Sequence, residues 1–193
     1  MYRVRFMRRR DGVLVLFATL IWGMKTASAA TDSIRSLVQT SAQRLQIAEK
    51  VALAKWYSGA SVEDASREVE VIQKAVKDGT NAGLESAQVE RFFKAQIEAN
   101  KLIQYSLLAE WQRQGQAPEQ AGANLVKEIR PQLDEIEKQL IEELKQSAAA
   151  RSAKTCPSDV AKAVAEYLDS RNLKTDSREG AALDRAMGSA CIR

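Results

Sequence analysis

Beyond its first thirty residues, this chain repeats apolar side chains three and four apart almost without interruption, and nowhere does it adopt the alternation of two that a half-buried strand needs. Ile34, Leu37, Val38, Leu45, Ala48, Val51 and Ala52 mark a first helix from about Asp32 to Tyr57. Ser61 reads as the N-cap of a second helix running to about Lys77, with an acidic first turn and with Val62, Ala65, Val69 and Ile72 inward. Asp78-Gly79-Thr80-Asn81, with Gly83, is the expected break after it. A third helix spans about Ser86 to Gln114 on Val89, Phe92, Phe93, Ile97, Leu102 or Ile103, and Leu107. After a connector at Gly115 to Gly122, a fourth carries Leu125, Ile129, Leu133, Ile136, Leu140, Ile141 and Leu144. Pro131 either begins that helix or kinks it, and biases Arg130 away from α geometry. Two shorter helices, about Ser158 to Ser170 and Arg178 to Cys191, complete an all-α, single-domain bundle of about six helices.

The first thirty residues have a different character. Arg3, Arg5, Arg8, Arg9 and Arg10 precede the apolar run Val13 to Trp22, and Ala27-Ser28-Ala29 follows. This is the layout of a secretory signal peptide cut near Ala29 or Ala30, because about ten apolar residues are too few to span a bilayer that needs about twenty. The domain organisation is therefore a signal at 1–29 and a helical domain at 30–193, periplasmic or secreted, with no membrane association after cleavage. Six of the 29 basic residues and one of the 25 acidic ones fall in the signal, leaving 23 against 24. The net charge of +4 thus gives no reason to expect a nucleic acid partner.

Cys156 and Cys191 are the only two cysteines. An even pair in an exported chain reads as a disulfide, and closing a loop of about 36 residues is worth roughly 4 kcal/mol in the chain-entropy model. The chain has no histidine to activate a thiol or complete the usual zinc sites, so neither a catalytic cysteine nor a metal is expected.

Six polar residues within this helical pattern carry the chemistry. Arg44 and Lys55 are eleven residues apart, three helical turns to within about 20°, so they leave one face of the first helix among Ala42, Leu45, Ala52, Leu53 and Trp56. Asn100 and Gln104 share a face of the third. Asp64 and Arg67 sit at the start of the second, where they would otherwise make a local ion pair of a few tenths of a kcal/mol. Cations emerging from apolar surroundings need a partner, and a small dianion is one. The bland readings are solvated charges for Arg44 and Lys55 and an interhelical hydrogen bond for Gln104. Trp56, Trp111 and the Phe92–Phe93 pair read as core, and Asp134-Glu135-Ile136-Glu137-Lys138 as a solvated face.

The segments Ser-Ala-Gln-Arg44-Leu, Ala-Leu-Ala-Lys55-Trp, Val-Glu-Asp64-Ala-Ser-Arg67-Glu68 and Phe-Phe-Lys-Ala-Gln96-Ile-Glu-Ala-Asn100-Lys-Leu-Ile-Gln104 resemble the all-helical chorismate mutases, and more closely their secreted, periplasmic subclass. The resemblance covers roughly residues 33 to 113 and implies a [3,3] rearrangement of chorismate to prephenate, which needs no nucleophile, metal or cofactor. It places Arg44 on one carboxylate, Lys55 and Gln104 on the breaking ether oxygen, Asp64 with Glu68 at the hydroxyl, and Arg67 and Asn100 on the ring side. Intracellular members complete the pocket with an arginine from a partner chain. The secreted subclass uses its own later helix, where Arg130 is the best match ahead of Arg113 and Arg151. The resemblance also allows a homodimer. Asn100 stands where a small hydroxyl residue is common, and Gln104 is a permanently neutral donor. The competing reading is a non-catalytic periplasmic binding protein for an aromatic dianion, which has no use for two donors converging on an ether oxygen.

Overall fold

The computed structural model describes residues 22–119 and 124–192, with side-chain surroundings from residue 31 onward. The arginine-rich opening and nearly all of the apolar run lie outside the described residues. The elements are α1 (Trp22–Ser58), α2 (Ala65–Asn81), α3 (Ser86–Gln114), a π-helical turn (Leu125–Ile129), α4 (Arg130–Gln146), α5 (Ala148–Arg151), α6 (Cys156–Ser170) and α7 (Arg178–Met187). No strand occurs among the described residues, and no described helix is long and apolar enough to cross a membrane.

Helix α3 is the central element, packed on α1, α2 and α7, while α1 also meets α4 and α6. Glu85 caps its start by accepting from the amides of Ala87 and Gln88, and Gly115 closes it in the left-handed conformation at φ +74°. Phe92 and Phe93 are fully buried and meet edge to face, as do Trp56 and Trp111, so these aromatics are core. The predicted stripe of α1 is buried throughout, and on α3 it is Ile103 rather than Leu102 that turns inward.

Helix α2 departs from the expectation in phase and in both ends. Its N-cap is Asp64, not Ser61, because the Asp64 carboxylate accepts from the Arg67 amide at 3.1 Å. The inward face is then Val71, Ile72, Ala75 and Gly79, while Ala65 is exposed and Val69 is 52% exposed. The helix also runs through the expected break to Asn81. Gly79 is there for packing: a Cβ on it would lie 2.7 Å from Val89 Cγ2, so its absence lets α2 approach α3.

Pro131 falls in the first turn of α4, which continues directly from the π-helical turn, and Arg130 before it is α-helical at φ −59° and ψ −45° rather than extended. The preceding turn is wide: Asn124 caps it through the amides of Val126 and Lys127, and the Arg130 amide reaches back five residues to Leu125 O. In that register the amide proline lacks is not needed by the regular ladder. The run read as a solvated face is mixed, since Glu137 within it is buried at 3% exposure.

The Cys156–Cys191 disulfide joins the start of α6 to the chain after α7. Beside it, buried Arg151 donates to Ala190 O at 2.6 Å and Leu144 O at 2.8 Å, and its own carbonyl accepts from the Ile192 amide. That arginine clasps the C-terminal segment.

Candidate active site

Helices α1, α2, α3 and α4 converge on a cavity of about 120 Å³. Arg44, Lys55, Asp64, Arg67, Glu68, Asn100, Gln104 and Arg130 all line it, with Val51, Val62, Val71, Ile97, Leu125 and Leu133 as apolar wall. Arg113 is exposed near the end of α3, and Arg151 belongs to the C-terminal clasp.

The α1 face delivers Arg44 and Lys55 because Leu45, Ala48 and Ala52 on the adjoining face are packed into the core. Arg44 is 6% exposed and donates through Nη1 to the Gln96 carbonyl at 2.9 Å. Burial lowers its pKa to about 10 against the opposing pull of Glu137, so it stays cationic at neutral pH. Lys55 Nζ donates to Val62 O at 2.8 Å, and burial lowers its pKa while Asp64, Glu68 and Glu63 hold it up. Arg130 is aimed by its neighbour: Ile129 is fully buried against Ile47, Val51 and Ala54, which turns the next residue to the cavity.

Asn100 and Gln104 form a connected pair. Gln104 Nε2 donates to Asn100 Oδ1 at 2.7 Å, and Asn100 Nδ2 reaches Arg44 O at 3.4 Å. An asparagine can do this because it carries both a donor and an acceptor, and the bridge fixes the glutamine relative to α1. Gln104 Oε1 and Glu68 Oε1 are buried acceptors with no partner.

The Asp64 carboxylate is committed to capping α2, also accepting from Ser66 Oγ, and the Arg67 amide bond holds its pKa down. Arg67 pairs with Glu70 at 3.1 Å and lies 3.9 Å from Asp134, rather than bridging to Asp64.

Sequence reasoning missed Lys101, Asp134 and Glu137, which also line the cavity. Glu137 was hidden in a charge run, yet it lies three, four and seven residues before the buried Leu140, Ile141 and Leu144, the spacing of an inward face. It accepts from Lys74 at 2.5 Å, and burial raises its pKa against that pairing.

The five cations around the cavity divide sharply. Arg67 and Lys101 have carboxylate partners, whereas Arg44, Lys55 and Arg130 have none within 4.0 Å among the described residues. Among the described residues, three cations without an ion-pair partner stand beside two side-chain amides in this helical pocket, a donor set whose chemistry suits a small polyanion. Residues 30–105 match the family model described as chorismate mutase type II. The chain is 38% identical to the chorismate mutase of Burkholderia phymatum in its crystal structure, covering 86% of this chain and 99% of that one at a TM-score of 0.80. For the Burkholderia thailandensis chorismate mutase structure the values are 34%, 82%, 99% and 0.77. The secreted chorismate mutase of Mycolicibacterium smegmatis is 27% identical over 172 residues, covering 88% of this chain and 93% of the relative. This chain belongs to the chorismate mutase family. It is an exported isomerase of that family.

Proposed function

We propose that the cavity between α1 and α4 binds chorismate and rearranges it to prephenate with one complete site per chain, each residue named above coming from the same polypeptide. The observation that carries the assignment of roles is the set of three cations without carboxylate partners, Arg44, Lys55 and Arg130, beside the amide of Gln104.

Chorismate carries two carboxylates, an ether bridge and a ring hydroxyl, and its rearrangement is intramolecular. The enzyme needs to hold the conformer in which the reacting carbons meet and to stabilise charge that grows on the ether oxygen. Arg44 takes one carboxylate through the guanidinium donors that Gln96 O does not use, and Arg130 takes the other. Lys55 and the second amide N–H of Gln104 address the ether oxygen from two sides. Both are fixed beforehand, Lys55 by Val62 O and Gln104 by Asn100. Glu68 Oε1 accepts from the hydroxyl, and Asp64 supports it indirectly by capping the helix that presents it. Arg67 and Asn100 close the ring side. A carrier for an aromatic dianion would need the carboxylate clamps alone, so the pairing of Lys55 with Gln104 favours catalysis. A homodimer is expected from the resemblance and is tested by sedimentation of the mature chain.

The direct test is loss of chorismate absorbance with residues 30–193 and with Lys55→Ala and Gln104→Ala. Turnover that falls by about 10² or more in each variant is the expected result. Binding without turnover by the unsubstituted chain would transfer the site to the carrier reading.

A further inference from the structure

One side chain on the cavity wall stands out by its company. Lys101 of α3 is 12% exposed and lies 2.8 Å from Glu98, 2.9 Å from Glu63 and 3.3 Å from Glu68. Tyr105 donates its hydroxyl to the other oxygen of Glu63 at 2.9 Å, which anchors the outer side of the cluster. Burial works against the charge of Lys101, but the hydrogen bonds of Glu98 and Glu63 and the charge of Glu68 hold its pKa above the ordinary value. The lysine is therefore a permanent cation shared by three carboxylates.

Of those three acids only Glu68 also lines the cavity. Its Oε2 faces Lys101, and its Oε1 is buried with no hydrogen-bond partner. A carboxylate beside a site for a dianion is unfavourable unless a cation is fixed behind it, and a glutamate on a helix has several rotamers through which to swing away. We propose that Lys101 is a positioning residue: it grips Glu68 Oε2, fixes the rotamer that presents Oε1 to the cavity, and offsets the negative charge so that Glu68 can accept a hydroxyl next to an anionic substrate. Glu98, Glu63 and Tyr105 form the ring that keeps Lys101 in place. The inference rests on the functional reading above and assigns no substrate contact to Lys101.

The test is a double-mutant cycle on the mature enzyme with Lys101→Met, Glu68→Gln and the pair, plus Lys101→Arg, each assayed for kcat and KM on chorismate and checked by thermal melting. Lys101→Met is expected to raise KM about tenfold while kcat changes by less than about threefold, the signature of lost uniform binding. Lys101→Arg should recover most of that loss, and Lys101→Met should add no more than about twofold in the Glu68→Gln background. A KM unmoved by Lys101→Met, no recovery with arginine, or independent effects of the two substitutions in an active enzyme would overturn the proposal and leave the functional reading standing. If the unsubstituted enzyme neither binds nor converts chorismate, both fall together.

Discussion

Two arginines of this protein are buried, Arg44 at 6% and Arg151 at 2% exposure, and burial draws the pKa of each down to about 10. Arg151, in the C-terminal clasp, aims Nε and Nη1 at two backbone carbonyls from different parts of the chain. Arg44, in the cavity wall, gives one side-chain hydrogen bond, from Nη1 to Gln96 O, and lines the cavity. The contrast shows that burial of a cation is not itself a functional sign. What separates structure from function is whether the donors are used up by the protein. The same test separates Lys101, whose charge is shared by three carboxylates, from Lys55 and Arg130, which have no ion-pair partner among the described residues; Arg67 stands between them, paired with exposed Glu70 while still lining the cavity.

Substitutions can break this comparison. Arg44→Ala should lower kcat/KM by about 10² to 10³ and leave the melting temperature nearly unchanged, because it removes a buried charge whose desolvation offsets its contacts. Arg151→Ala should do the reverse, lowering stability by about 3 kcal/mol through the lost bonds to Ala190 O and Leu144 O, of which only the second keeps another side-chain donor, Ser147 Oγ, with kcat/KM at 25 °C held within about twofold. If Arg151→Ala abolished activity in a folded protein, the division between the two regions would fail.

Removal of the disulfide in a Cys156→Ala, Cys191→Ala variant sharpens the same contrast. The chain-entropy figure of roughly 4 kcal/mol is an upper value here, since Arg151 holds the same segment independently, and about 2 kcal/mol is expected from denaturant unfolding. Activity should survive. Gly79→Ala would push on Val89 and cost about 1 to 2 kcal/mol. It should also raise KM slightly, because α2 carries Glu68 and Arg67.

The smallest effect expected is on pH dependence. Gln104 does not titrate, so kcat/KM should be flat between about pH 6 and 8. Burial depresses the pKa of Lys55, so as pH rises its proton is lost earlier than from an exposed lysine, and activity should fall on the alkaline side. Lys55→Arg should move that fall upward. A rate that collapsed between pH 6 and 8 would count against Gln104 as the neutral donor.

Much of this was legible in the residues. Periodicity alone gives the α1 and α3 stripes, because a helix repeats its faces at fixed spacing whatever it packs against. The constellation Arg44, Lys55, Asn100 and Gln104 follows from the same arithmetic within single helices, and the cysteine pair from export. Helix α2 was legible only in part: two apolar stripes compete along it, and the one chosen depends on Asp64 as cap and on α3 as neighbour. Lys101 looked like one more charge beside Asn100, since two of its three carboxylate partners, Glu63 and Glu68, lie outside α3. The sequence by itself determined which residues share a helix face, that the chain is all-α, and which side chains have the chemistry for a dianion. Only the tertiary structure decided that Glu137 is buried, that Asp64 caps rather than pairs, that Arg130 faces the cavity and Arg151 does not, and that three cations are left without partners. Such facts depend on distances between elements far apart in the chain, and those distances are fixed by the packing of whole helices rather than by any local pattern.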